Sequence, residues 1–224
     1  AGVAGGDHAP GNRRTDRRHA LERGVRPPSL VVLPRDLSQP KLAVRLVGAV
    51  TRLLAAAVGP SGKVYAFQPA EFIAFKAQYG TDQTAVDVAY DNVDAVAGPF
   101  AAPAFPEPLD TIITVQNFHD LYLKPFPAGT GDKASATLFA ALKPGGTLIV
   151  VDHLPADGSG TTLSDSLHRI DKAAVVDTLT KAGFKLEAES DLYKRADDPR
   201  TANVFDAGIR GKTDQFALRF RKPG

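Results

Sequence analysis

Cysteine, methionine and tryptophan are absent from all 224 residues. Lack of cysteine excludes a disulfide framework, a thiolate zinc site and a thiol nucleophile, so any metal has to rest on histidine and carboxylate groups. No apolar run approaches the ~20 residues of a membrane-spanning helix, and no membrane partner is expected. Charge of one sign is scarce too: a net +2 is too little to make the whole chain a nucleic-acid binder. Residues 1–28 hold no apolar h-region, so no signal peptide is expected within them. What is present, 43% apolar and 23% charged residues, is enough for one α/β domain with a substantial core and short for two.

The chain is uneven. Residues 1–52 carry nine arginines and one lysine, residues 53–224 carry six and eleven, and every aromatic lies at or beyond Tyr65. The first 28 residues are small, basic and rich in proline and glycine, without helical or strand period. They read as a flexible basic arm. Contact with nucleic acid or an acidic partner through Arg13, Arg14, Arg17 and Arg18 is the functional alternative, and a solvated tail the simpler one. Residues 29–224 then form a single domain.

Within that domain SLVVL (29–33) reads as a strand cut short by Pro34. Helical spacing follows over 42–58 (Leu46, Val50, Leu53, Leu54, Ala57), closed by Gly59 and Pro60. KVYAF (63–67) is a buried strand, and Pro69 opens a helix that reaches about Tyr79 and stops at Gly80. NVDAVAG (92–98) and DTIITV (110–115) are strand-like, the second an apolar run of the central parallel type. Asp132 can cap a helix closed by Pro144, Gly145 and Gly146, and TLIVVDH (147–153) is a strand. Asp171 caps another helix, ending at Gly183, and 184–192 and 214–220 alternate in and out as a closing pair. Strands separated by helices imply βαβ units and a parallel sheet, with one of the last two strands antiparallel because no helix separates them. The expected architecture is one doubly wound α/β domain.

In such sheets ligands bind beyond the carboxyl ends of the strands. That rule selects Gln68 and Glu71, then Gly98 and Pro99, then Gln116, Asn117, His119 and Asp120, and finally Asp152 and His153. With His168, three histidines fall near one rim, each with an aspartate adjacent or three residues away. A His–Asp pair fixes the imidazole tautomer and raises its basicity, which suits a general base. Histidine with carboxylates can also hold a divalent ion, but the spacing matches no tight ligand motif and no metal is assigned. The plainer alternative gives Asp152 and His153 ordinary turn hydrogen bonds and leaves His168 on the surface. His119 beside Asp120 is the strongest candidate, because polar residues directly after a central apolar strand are hard to explain by packing. Glu71 either accepts hydrogen bonds from the ribose hydroxyls of a nucleotide or complements its helix N-terminus.

Taken together, TRLLAAAVGPSGKVYAFQPAEF (51–72), QNFHDLY (116–122), LKPGGTLIVVDH (142–153), LHRID (167–171) and NVFDAGIRGKTDQFALRFRKP (203–223) resemble a family of bacterial predicted class I S-adenosylmethionine-dependent methyltransferases. The resemblance runs from about Gly48 to the C-terminus. LKPGG before an apolar strand is common across the superfamily, whereas QNFHD and RGKTDQF are more specific. The resemblance implies a Rossmann-like, doubly wound seven-stranded sheet with the last strand antiparallel. S-adenosylmethionine would lie across the ends of the first, second and fourth strands. Glu71 would then contact ribose, Gly98 and Pro99 would border adenine, and Gln116 and Asn117 would line the cofactor floor. Gly48 and Gln68 belong to the same cofactor-binding set. His119 would be the base for the acceptor, oriented by Asp120 or His153, and the Pro/Gly-rich segment 121–131 would be an acceptor lid.

One departure stands out. The family carries a glycine-rich turn before the TRLLA helix, where a side chain would block the cofactor. Here that stretch is RDLSQPKLAVRLVGAV (35–50), and Gly48 is its only glycine. The reaction implied is methyl transfer to a small-molecule oxygen, nitrogen or carbon nucleophile, mostly by positioning, with a base adding ~10²–10⁴-fold. A metal-assisted variant would draw on His119, Asp120, Asp152 and His153. The rival from another class is a non-catalytic methyltransferase-like binding or assembly module with an impaired cofactor site. Nicotinamide chemistry comes last, because no G-x-G-x-x-G follows a strand. A cofactor made in the cytosol favours a cytoplasmic location, with the periplasm as alternative if a signal peptide has been removed, and a homodimer is compatible with the sequence.

Overall fold

The computed structural model of the chain describes residues 41–45 and 48–224. The arm assigned to 1–28 and the strand assigned to 29–33 lie outside the described residues. Seven strands join in one sheet: β1 (Lys41–Arg45), β2 (Lys63–Pro69), β3 (Val93–Gly98), β4 (Leu109–Val115), β5 (Leu142–His153), β6 (Lys185–Ser190) and β7 (Gln215–Arg221). Their order is β3-β2-β1-β4-β5-β7-β6. The first five pair in parallel, and β7 runs antiparallel to both its neighbours. Among the described residues six helices accompany them: α1 (Ala49–Val58), α2 (Ala70–Phe75), α3 (Gln78–Ala89), α4 (Thr130–Ala141), α5 (Ser164–Leu167) and α6 (Lys172–Lys181). A 3₁₀ turn, His119–Tyr122, follows β4. Among the described residues no helix is long and apolar enough to cross a membrane.

Period and burial explain the elements. On α1, Thr51, Leu54, Ala55 and Val58 are buried, the one-face spacing of an amphipathic helix. In β4 the run Thr111 to Thr114 is buried without alternation, as expected where both faces of a parallel strand are covered. Leu148 and Val150 on β5 join Ile112, Leu179, Phe184 and Phe220 in the core. Asp171 caps α6 by accepting the Ala173 N–H at 2.9 Å.

Three assignments made from the sequence are corrected. The helix expected over 42–58 begins only at Ala49, and Lys41–Arg45 is instead the central strand β1, paired on both sides with β2 and β4. Two ladders of backbone hydrogen bonds outweigh helical spacing there. The helix opened by Pro69 ends at Phe75, and a second, α3, runs through Gly80 to Ala89. Gly80 does not stop a helix; a β-carbon there would stand 3.1 Å from Ile73 Cγ2, so the glycine admits a close neighbour. Asp132 lies in the first turn of α4 and is not its cap, a place taken by Gly129 with φ 83°.

Candidate functional site

Parallel pairing brings the carboxyl ends of β1, β2, β4 and β5 to one edge of the sheet, and the polar residues selected from the sequence follow those ends. Gly48 precedes α1 with φ 111°, a conformation that suits glycine, and no described residue lies within 4 Å of where its β-carbon would be. Both carboxylate oxygens of Glu71 accept the Phe100 N–H, at 3.1 and 3.0 Å, tying the end of β2 to the turn after Gly98 and Pro99. Gly98 needs no special backbone, for its β-carbon would meet Phe67 at an ordinary 3.6 Å. Gln68 is buried. Gln116 takes a positive φ of 56°, donates its N–H to Val151 O at 2.7 Å and reaches Gln215 Oε1 at 3.2 Å. Asn117 Oδ1 accepts the hydroxyl of Thr114. Beside Asn117 and Phe118 lies a small apolar cavity of about 40 Å³, lined also by Phe67, Phe100, Phe105 and Thr114.

The histidine cluster is built from two strand ends and one short helix. Phe118 and Leu121 are buried in the core and pin the 3₁₀ turn, which leaves His119 and Asp120 to face the rim. Asp152 is fully buried on the same face of β5 as Leu148 and Val150, a carboxylate where the core pattern calls for an apolar residue. It is held by three N–H groups. Its Oδ1 lies 2.8 Å from His119 Nδ1 and accepts the His153 N–H at 2.8 Å, while Oδ2 accepts the His119 N–H at 2.9 Å. The other ring nitrogen, His119 Nε2, stands 3.2 Å from Asp120 Oδ1 and 3.2 Å from His168 Nδ1.

His168 reaches this place through an unusual backbone. It ends α5 with φ 55° and ψ 45°, the left-handed region, and its own N–H bonds Ser164 O at 3.2 Å. The next two residues anchor it. The buried Arg169 guanidinium forks onto Asp198 at 2.8 and 3.1 Å and donates to Leu154 O and Ala202 O, and the Ile170 N–H bonds His153 O at 3.0 Å. The ring of Phe205 packs against His168 with centroids 4.8 Å apart.

Protonation separates the three imidazoles. Burial alone would push His119 down, but the charge of Asp152 and the hydrogen bonds its ring donates to Asp120 and Asp152 override it and raise its pKa to about 10. Burial lowers His153 to about 4; the Asp152 charge opposes that shift, while the His119 and Arg169 charges add to it. His168 is also lowered, by burial and then by the charge on His119. The arrangement therefore offers one basic imidazole clamped between carboxylates, with a neutral one at its exposed side.

Of the residues chosen from the sequence, His119, Asp120 and His168 come together. His153 stands apart: its Nδ1 pairs with Thr213 Oγ1 at 2.8 Å, and its ring centroid is 6.1 Å from that of His119. The group that orients His119 is Asp152, a residue whose place on the rim follows from the sequence but whose part does not. Its signal was there, since 148, 150 and 152 share one face of a strand. Thr213 carried no signal of its own.

No family model matches the chain, and no curated protein matches it in sequence. Its fold does match solved structures. The glycopeptide N-methyltransferase MtfA complexed with S-adenosyl-L-methionine gives a TM-score of 0.55 at 16% identity, over 85% of this chain and 84% of that one. The N-methyltransferase NodS from Bradyrhizobium japonicum WM9, in complex with S-adenosyl-L-homocysteine, gives 0.56 at 14%, over 83% and 79%. The cyclase SpnF gives 0.58 at 15%, over 83% and 75%. At these identities the likeness is one of fold, and it spans methyltransferases and a cyclase alike.

Proposed function

We propose that the chain transfers a methyl group from S-adenosylmethionine to a small-molecule acceptor, with His119 as proton acceptor. The observation that carries this reading is the buried His119–Asp152 pair at the ends of β4 and β5, on the edge where a doubly wound sheet of this kind binds its ligands. The residues present fit the cofactor: Gly48 supplies a positive-φ glycine with no described residue against its α-carbon face after β1, Glu71 offers carboxylate oxygens after β2, and the cavity beside Asn117 presents aromatic faces. In this reading Glu71 holds the ribose, Gly98 and Pro99 border the adenine, and Gln68, Gln116 and Asn117 complete the floor. The cofactor supplies a methyl group on a positively charged sulfur, ready for in-line displacement.

The chain's own part is positioning and proton removal. Asp152 holds Nδ1–H of His119, so Nε2 is the atom left to take the acceptor's proton. A pKa near 10 makes that imidazole a strong base that is protonated at neutral pH, so His119 has to release its own proton first. Asp120 keeps the same nitrogen in register from the rim. Exclusion of water falls to the apolar wall of Phe118 and Leu121, and an acceptor lid to segment 121–131.

Calorimetric titration with S-adenosylmethionine and S-adenosylhomocysteine tests the cofactor half. Micromolar binding that is lost in Glu71→Ala is expected. Absence of binding at millimolar ligand would sink the reading and leave the non-catalytic binding module in its place. The catalytic half predicts that His119→Gln lowers kcat by ~10²–10⁴-fold while cofactor affinity is retained.

A further inference from the structure

We infer that His119 Nε2, His168 Nδ1 and a carboxylate oxygen of Asp120 form a binding site for a divalent transition-metal ion, with the remaining coordination positions open. Each residue offers one ligand atom, and the three atoms lie within 4.8 Å of one another. The two separations from His119 Nε2, to His168 Nδ1 and to Asp120 Oδ1, are both 3.2 Å. Ion–ligand bonds of about 2.0–2.2 Å place neighbouring ligand atoms about 3.0–3.5 Å apart in tetrahedral or octahedral geometry, so one ion can reach all three with little rearrangement.

Two further features support the site. A metal-ligating histidine commonly donates its other ring N–H to a carboxylate, which fixes the tautomer and aims the lone pair. Asp152 does this for His119 at 2.8 Å from Nδ1, and it is itself immobilised by two backbone N–H groups. The second feature is His168, a non-glycine residue held at φ 55°. Such backbone costs free energy and persists where the surroundings over-determine it, often at functional sites. Here Arg169 and Ile170, both buried, do the holding.

Ligand chemistry selects the ion. Two imidazoles and one carboxylate suit Zn²⁺, Co²⁺, Fe²⁺ or Mn²⁺, whereas Mg²⁺ and Ca²⁺ prefer oxygen alone. Three protein ligands with open positions is the arrangement of a catalytic ion that polarises a bound oxygen. The inference does not rest on methyl transfer. An ion would take the Nε2 lone pair that the proposed reaction reserves for the acceptor's proton, so ion and proton compete for that one atom.

The full chain, prepared without a polyhistidine tag and stripped with chelator, is titrated with Co²⁺, Zn²⁺ and Mg²⁺. One Co²⁺ or Zn²⁺ per chain is expected, with visible absorption from the bound Co²⁺ and no Mg²⁺ uptake at the same concentrations. His168→Gly and Asp120→Asn should each weaken binding by at least about tenfold, and Asp152→Asn by ~10–100-fold although it touches no ion. Glycine is chosen because it accepts the backbone of His168 without strain, and asparagine because it preserves shape, so thermal unfolding should find both variants folded. Saturable binding that is indifferent to His168→Gly and Asp120→Asn, or no binding up to millimolar Co²⁺, would overturn the site. The two imidazoles would then be joined by a proton on His119 Nε2.

Discussion

Asp152 sets the properties of the histidine cluster at the scale of single residues. It meets three N–H groups and is wholly out of water, so its removal takes an acceptor from three buried donors. Asp152→Ala is expected to destabilise the fold by ~1–3 kcal/mol for each orphaned donor, measured by urea unfolding. Asp152→Asn keeps the shape and removes the charge that does most to raise His119. Turnover in the native protein should climb with pH toward about 10, because the base works only when deprotonated, and in Asp152→Asn the climb should shift to lower pH. A pH–rate profile that is flat from neutral upward would contradict this. His119 was legible in the sequence because a histidine directly after an apolar strand has no packing excuse. Asp152 was harder to see: pairing neighbours by sequence drew attention to Asp120 and His153, while strand alternation turns 152 and 153 to opposite faces.

Between elements, close approach decides where the site residues stand. Tyr122, at the end of the 3₁₀ turn, lies against the first turn of α4 and bonds Thr178 of α6 at 2.9 Å. A β-carbon on Gly131 would sit 2.5 Å from the Tyr122 ring and hydroxyl, so Gly131→Ala has to push the turn away. Such overpacking costs ~1–3 kcal/mol. Because His119 and Asp120 open the same turn, Gly131→Ala should lower activity beyond its effect on the melting temperature. Strong periodic elements were readable: β4, α6 and the antiparallel pair β6 and β7 fall close to their sequence assignments, whereas β5 begins at Leu142 and takes in Pro144, Gly145 and Gly146, which were read as the close of the preceding helix. The central strand was not, because the three apolar residues of KLAVR are too short a run to compete with the helical spacing that overlaps them. What makes 41–45 a strand is the pairing of β2 and β4 on either side, a tertiary fact.

For the molecule as a whole, the Arg169–Asp198 pair is the main electrostatic tie between the β5 end and the segment leading into β7. Both side chains are fully buried, and Asp198 also accepts the N–H groups of Arg200 and Asp214 at 3.0 and 2.7 Å. Removing one partner of such a pair leaves an uncompensated charge, so Asp198→Ala is expected to cost ~3–5 kcal/mol. Burial would raise this carboxyl, but the Arg169 hydrogen bond and the two backbone N–H groups more than offset it and hold it below its ordinary 3.8. A depressed carboxyl contributes stability that is complete above its unfolded value and lost as pH falls through the folded one. Urea midpoints should therefore drop in acid below about pH 4 in the native protein, and Asp198→Asn should flatten that limb at a lower overall stability. None of this was visible in sequence, since 169 and 198 are joined only by the fold.

The position of β7 has a consequence for how the protein comes to be made. The strand synthesised last among the seven is interior, lodged between β5 and β6. While the ribosome is still translating the segment before it, β5 presents a naked edge and β6 has nothing to join. Thr213, which bonds His153, and Asp214, whose N–H bonds Asp198, arrive in the same final stretch. Sheet closure and completion of the surroundings of His153 and Asp198 are thus one event that waits for β7, and a nascent chain that stalls before residue 215 carries an unpaired edge open to association with others of its kind.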